Sequence, residues 1–244
     1  MAVEGLYMVW RMRLSPIPYV RAYGDFVLRD ALLAFSEMEK RADAVVNAEY
    51  ERLSSQSVGE DWDGDMSVFA EAAECKGQAF YETMYSLRQM TLNLFTAGLF
   101  HLIEQQLANL CQDASFDVPP PRDTNIAIVT DWYERHFHIS IRTLGCWAMI
   151  EELRLVANVV KHAEGGSARE LRNRREELFV PPSIRNSSSE IQRPAFPVAA
   201  PLAGDDLYVT EEVFQRYAEA ANELMEEIAH FFDVQGAEYF PKPG

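Results

Sequence analysis

The chain has 244 residues and a formal net charge of −16, with 48% hydrophobic and 25% charged residues. This is the composition of a globular protein that is long enough to bury a full core, and it excludes wholesale disorder. The negative charge repels free nucleic acid at long range and disfavours non-specific binding to it.

Targeting and redox features are few. No apolar run approaches the ~20 residues that a membrane-spanning helix needs, and the start MAVEGLYMVWRMRL interrupts its apolar stretch with arginines, unlike a signal peptide. The cysteines Cys75, Cys111 and Cys146 are too scattered and odd in number for a disulfide framework, and no C-x-x-C motif occurs. We therefore expect a cytoplasmic protein of a reducing compartment that does not contact a membrane.

Helical spacing dominates the first half of the chain. Residues 25–53 mix apolar and charged positions at helical intervals, and Ser, Gly and Asp residues then break the pattern. The longest helix is predicted from Ser67 to Gln112, with a mostly apolar stripe at three- and four-residue steps. The stripe comprises Met84, Leu87, Thr91, Leu94, Gly98, Leu102, Gln105 or Gln106, and Leu110.

Two patterns contain metal-binding residue types but fail on spacing. The DWDGD run at 61–65 has its glycine directly after the second aspartate and Ala72 at position twelve, so it does not match an EF-hand loop. The pair His136-x-His138 has no third or fourth ligand nearby. We expect no metal site and no cofactor.

The middle of the chain predicts further helices with recognisable ends. PPPRD at 119–123 ends the long helix, and Asp123 is a candidate N-cap for a short helix over 124–137. Residues 136–145 read as a connection.

Another helix is predicted from about Cys146 to Ala163. The pair Gly165-Gly166 supplies the left-handed stop that helices commonly use. Ser167 and Glu170 then form a capping box, which starts a further short helix.

After Phe179 the composition changes. Residues 180–206 hold five of the chain's twelve prolines and three consecutive serines, which predicts an extended loop or arm. The DLYVT segment at 206–210 is compatible with a short strand paired with this arm. Thr210 then caps a final amphipathic helix, whose apolar face comprises Val213, Tyr217, Ala220, Leu224, Ile228 and Phe231.

These elements together predict an all-α fold. We expect one helical domain over residues 1–244, built as a bundle of five to seven helices with a proline-rich excursion.

Positive charge is concentrated in one segment. Residues 154–193 contain eight basic and five acidic side chains, so this segment is +3 while the rest of the chain is −19. A solvated helix face would explain such a run. If the protein contacts phosphate, this is the segment where we expect the contact.

Residues 152–166, ELRLVANVVKHAEGG, lie in this segment and contain the residues best suited to chemistry. Arg154, Asn158 and His162 follow each other at four-residue steps, so they share one helix face. In one interpretation they form the solvent-exposed edge of a core helix. A histidine near a helix C-terminus is then favoured by the helix dipole.

In the other interpretation the three residues cleave RNA. Attack by a 2′-hydroxyl needs a group that takes and gives a proton near neutral pH, which histidine does. It also needs a cation that stabilises the charge on the pentavalent phosphate. Asparagine can orient the imidazole or the phosphate.

The pattern E-L-R-L-x-A-N-x-x-K-H in an all-α chain resembles the HEPN superfamily. The resemblance covers about residues 67–232, and its specific part is about a dozen residues long. It implies a bundle of about four helices that dimerises and places an R-N-x-x-x-H-type motif in a shared cleft. Many members are metal-independent endoribonucleases of toxin–antitoxin and phage-defence systems, and others are non-catalytic scaffolds or binding modules.

Carried over by position, His162 matches the family histidine and Asn158 the asparagine. The arginine departs from the pattern, because Ala157 stands directly before Asn158. Seven residues separate Arg154 from His162, a helical rise of about 12 Å. Arg154, the same residue of a dimer partner, or Arg169 could supply the cation. Lys161 and Arg169 are the candidate substrate-binding residues.

Two hypotheses follow. The first is a dimeric, metal-independent endoribonuclease that acts as a toxin or phage-defence effector on RNA and is restrained by a protein partner or antitoxin. The second is a non-catalytic HEPN-like interaction or scaffold module, in which the acidic surface and the arm at 180–206 bind a protein and the motif residues are structural.

Overall fold

The fold is described by a computed structural model, which covers residues 2–56, 66–113, 119–185, 197–201 and 206–239. Within these residues the chain forms α-helices and short 3₁₀ turns and no β-strand, so the predicted all-α class is confirmed. The α-helices are α1 (Ala2–Leu14), α2 (Pro16–Arg29), α3 (Met38–Gln56), α4 (Ser67–Asp113), α5 (Ile126–Phe137), α6 (Trp147–His162), α7 (Gly166–Arg174) and α8 (Glu211–Tyr239). The DWDGD run and most of the proline-rich arm lie outside the described residues.

Two long helices organise the bundle. Helix α4 packs against α2, α3, α5 and α6, and α8 packs against α1, α2 and α6. None of the described helices combines the length and the apolarity that crossing a bilayer requires.

Helix α6 lies between the two long helices and buries one wide apolar face. Leu153, Val156, Ala157 and Val159 are 0% exposed, and Val160 is 2% exposed. Burial of a Leu or Val side chain contributes about 1.5–3 kcal/mol. Several such side chains therefore fix the rotation of α6 about its axis.

The predicted apolar stripe of α4 matches the buried face of the helix only in part, at Gln106 and Leu110. Leu87 and Leu94 are 40% and 41% exposed, whereas Leu92 and Leu99 are fully buried. The difference arises because α4 is packed by neighbours on several sides, so no single stripe defines its interior face.

Polar residues are also buried on α4, where the sequence pattern gave no sign of them. The side-chain amides of Gln89 and Asn93 donate hydrogen bonds of 2.9 and 2.8 Å to the carbonyls of Val209 and Leu207. These bonds tie the segment that precedes α8 to α4.

The strand pair considered for 206–210 is therefore not formed within the described residues. Tyr208 makes a backbone hydrogen bond of 2.7 Å to Leu178 O, but no ladder develops. Side chains of α4 take the carbonyls that a second strand would have bound. Thr210 caps α8 as predicted, since its hydroxyl accepts from Val213 N at 3.3 Å.

Two predicted helix starts are displaced along the chain. The side chain of Asn125, and not that of Asp123, caps α5 by accepting from Ala127 N. The Asp123 carboxylate accepts from the backbone N–H of Asn125. Ser167 lies inside α7, which begins at Gly166, so the predicted capping box does not form.

The predicted left-handed stop of α6 also falls on a different residue. Ala163 has φ 59° and ψ −139°, and no described glycine has a positive φ. The long stretch at 25–53 is interrupted in the same way, because Glu37 has φ 55° between the 3₁₀ turn Ala31–Phe35 and α3.

We predict that Ala163→Gly raises the free energy of unfolding by about 1 kcal/mol. The conformation of Ala163 is one that favours glycine, so the change relieves backbone strain that exceeds the entropy glycine adds to the unfolded chain. Chemical denaturation monitored by circular dichroism measures the difference. Ala79→Gly, at an exposed position inside α4, is the control and should lower stability by about 1 kcal/mol; loss of stability in both variants would contradict the prediction.

Candidate functional site

A cleft of about 400 Å³ opens beside α6. It lies between α4, the start of α5, the 3₁₀ turn Ile141–Thr143 and α6. The lining residues are Phe100, Glu104, Asn125, Ile126, Ala127, Arg142, Trp147, Glu151, Arg154 and Asn158. Its volume is within the range of small-ligand sites.

The structure divides the predicted motif into two parts. Arg154 and Asn158 both line the cleft, whereas His162 and Lys161 lie outside it on the exposed last turn of α6. One helical turn, a rise of about 6 Å, separates Asn158 from His162. The three motif residues therefore form one stripe that runs from the cleft to the end of the helix.

Arg154 is held by a carboxylate of its own helix. Its Nε and Nη2 donate to Glu151 Oε2 at 3.1 and 3.0 Å, and both side chains are a little under one-third exposed. A phosphate at this position would have to compete with Glu151 for the guanidinium.

Asn158 does not position His162 within a single chain. Its half-buried side chain makes no hydrogen bond with any described residue, so the amide is available to a group in the cleft. The sequence prediction that Asn158 orients the imidazole has no contact that supports it in one copy of the chain.

The end of α6 and the start of α7 present exposed basic side chains that form no close ion pair. Lys161, His162 and Arg169 are exposed, and no described carboxylate lies within ion-pair distance of them. The neighbouring arginines of α7 are paired: Arg172 with Glu164, Arg174 with Glu170, and Arg175 with Glu152 and Glu177. Arg154 is paired as well, so four of the six arginines in the described part of the predicted positive segment bind carboxylates.

The α6–α7 turn is fixed by Glu164. Its carboxylate accepts from Arg172 at 2.9 Å and from Val198 N at 3.1 Å, and its own amide donates to Val198 O at 3.1 Å. The hydrogen bond from Arg172 lowers the pKa of the Glu164 carboxyl. This clasp holds residues 197–201 beside the turn that follows His162.

Glu104, which lines the cleft, forms a polar pair with His101 on the same helix. His101 Nδ1 lies 2.9 Å from Glu104 Oε2, and Glu104 Oε1 accepts from Ile126 N at 3.3 Å. His101 Nε2 is buried without a hydrogen-bond partner among the described residues. The three-residue spacing of His101 and Glu104 is a sequence signal for their contact. No sequence signal indicates the hydrogen bond between Glu104 and the start of α5.

The described residues give little support to a metal site or to a reactive thiol. No group of three or more His, Cys, Asp or Glu side chains is placed there to hold a metal ion. Burial raises the pKa values of Cys111 and Cys146 to about 12, so these thiols are poor nucleophiles.

Comparison of the chain with protein-family models, with curated proteins and with solved structures gives no match.

Proposed function

We propose that this protein is a HEPN-like, metal-independent endoribonuclease that acts at the exposed end of α6. The observation that best supports the proposal is the exposure of Lys161, His162 and Arg169 at the end of α6 and the start of α7. None of the three forms an ion pair within 4.0 Å among the described residues, although the chain as a whole carries a charge of −16. A local cationic group in an acidic protein is suited to one bound phosphate more than to a long nucleic acid.

In the proposed reaction His162 acts as general base and then as general acid. The imidazole takes the proton of the ribose 2′-hydroxyl, and the 2′-oxygen attacks the adjacent phosphorus. The bond from phosphorus to the 5′-oxygen breaks, and that oxygen receives a proton. The products are a 2′,3′-cyclic phosphate and a 5′-hydroxyl end. Lys161 and Arg169 stabilise the charge that accumulates on the phosphate oxygens.

A homodimer is part of the proposal. A single chain supplies one imidazole. A second copy that faces the end of α6 would supply a second imidazole. Its Arg154 would supply the cation that the family motif places directly before the asparagine. Such an enzyme would serve as a cytoplasmic toxin or phage-defence effector, held inactive by a protein partner or antitoxin.

A second candidate function is a non-catalytic HEPN-like interaction module. The ion pair of Arg154 with Glu151 favours it, because the motif arginine is already neutralised at 3.0 Å. In that case the arm that begins and ends beside α7 would bind a protein partner, and the motif residues would be structural.

We predict that the purified protein cleaves single-stranded RNA in excess EDTA and that His162→Ala lowers the rate at least about a hundredfold, the usual contribution of a general acid–base group. The measurement is single-turnover cleavage of a labelled RNA followed by analysis of the ends. His230→Ala is the matched control, because His230 is also exposed on a helix. Equal rates for wild type and His162→Ala would exclude His162 as the catalytic group.

The proposed phosphate contacts predict a change in the salt dependence of binding. Arg169→Ala and Lys161→Ala should each lower the slope of log Kd against log salt by about 0.7 for a single-stranded ligand. A non-cleavable RNA carrying 2′-O-methyl groups provides the ligand, and Arg29→Ala, on the exposed surface of α2, is the control. An unchanged slope in both variants would remove these residues from the RNA-binding surface.

If the protein is an interaction module, changes in the arm and at His162 should affect partner binding differently. Replacing residues 186–196 by a Gly-Ser linker should abolish co-purification of the protein partner without changing the thermal unfolding midpoint. His162→Ala should leave that co-purification unchanged. Partner binding that survives the replacement would contradict the role of the arm.

A further inference from the structure

Both arginines that line the cleft are paired with carboxylates. Arg154 binds Glu151 at 3.0 Å, and Arg142 lies 2.6 Å from Asp131 of α5 and donates to Ala127 O. Glu104 contacts His101 and accepts from the backbone amide of Ile126. Among the described residues the cleft therefore offers no unpaired arginine to an anionic group, and it is better suited to an uncharged part of a ligand.

Two aromatic rings and two side-chain amides also line the cleft. Trp147 is half-buried at the first turn of α6, and Phe100 lies on α4 with 3% exposure. The side-chain amide of Asn158 has no hydrogen-bond partner among the described residues. The side-chain oxygen of Asn125 accepts from Ala127 N, and its side-chain nitrogen has no acceptor among the described residues. Aromatic walls with free amide groups suit a flat molecule that carries hydrogen-bond donors and acceptors on its edge.

We infer that the cleft binds a nucleobase, with adenine preferred. Bases stack on aromatic side chains whatever their identity, and this is the common way in which proteins hold unpaired bases. An asparagine amide offers one donor and one acceptor side by side, which matches the N6 and N7 edge of adenine. Trp147 supplies the stacking surface, and Asn158 reads the edge of the base.

The cleft ends one helical turn before the proposed reaction centre, because Asn158 lines it and His162 does not. This turn is a rise of about 6 Å, so the phosphate of a nucleotide whose base occupies the cleft is within reach of the exposed end of α6. This link between the two sites rests on the proposed function. The binding of the base does not, and a free nucleoside or an RNA strand could supply it.

The experiment measures binding without cleavage. The ligands are labelled 2′-O-methyl tetranucleotides of A, C, G and U, which lack the attacking hydroxyl, and the four free nucleosides. We expect the A tetranucleotide to bind about tenfold more tightly than the U tetranucleotide. Trp147→Leu should weaken binding of the A tetranucleotide about tenfold, whereas Trp10→Leu, at an exposed tryptophan of α1, should leave it unchanged.

A second variant tests recognition separately from stacking. Asn158→Asp replaces the donor of the amide by an acceptor, and a carboxylate accepts from cytosine N4. The preference should therefore move from A to C. Asn158 is half-exposed, so this variant keeps the fold and remains informative if Trp147→Leu unfolds, which circular dichroism would reveal.

The outcomes separate the two proposals. Equal affinity for all four bases, together with no effect of either cleft variant, overturns the nucleobase site even if His162 is catalytic. Adenine-selective binding by a protein that cuts no RNA in EDTA supports the nucleobase site and overturns only the ribonuclease. Nucleosides that bind as tightly as the tetranucleotides support a site for free nucleosides over one for RNA strands.

Discussion

The arrangement depends first on the burial of one face of α6 against α4 and α8. Leu153, Val156 and Val160 are almost completely inaccessible, and any rotation of the helix would expose them at a cost of about 1.5–3 kcal/mol each. The rotation is therefore fixed, and the stripe from Arg154 to His162 faces outward along its whole length. Core packing thus determines where the polar residues of α6 can act, before any of them makes a contact of its own.

Polar residues at the other edge of α6 serve the fold. The Tyr217 hydroxyl donates to Glu152 Oε1 at 2.8 Å, and Arg175 also binds this carboxylate. Burial raises the pKa of Tyr217, so the phenol stays protonated and remains a donor. Glu152 thereby ties α6 to α8 and to the end of α7. Its neighbour Glu151 belongs to the cleft, so adjacent carboxylates on one helix have separate roles.

The sequence was most informative about which segments are helical. It placed α4, α6 and α8 within a few residues and put the three motif residues on one stripe of α6. It was right about the cap of α8 and wrong about the end of α6, where the residue with positive φ is Ala163 and not a glycine. The three-residue spacing of Glu151 and Arg154 is compatible with the ion pair that they form. The cleft could not be predicted, because its walls come from segments that are far apart in the chain.

The arm that follows α7 is tied down at both ends. Arg185 donates to Val180 O and Tyr208 O at 2.9 and 2.8 Å, and Val198 is clasped by Glu164. The anchor at Val198 reaches the turn that follows His162, since Glu164 lies two residues after that histidine. A change that displaces Val198 therefore acts directly on the exposed end of α6.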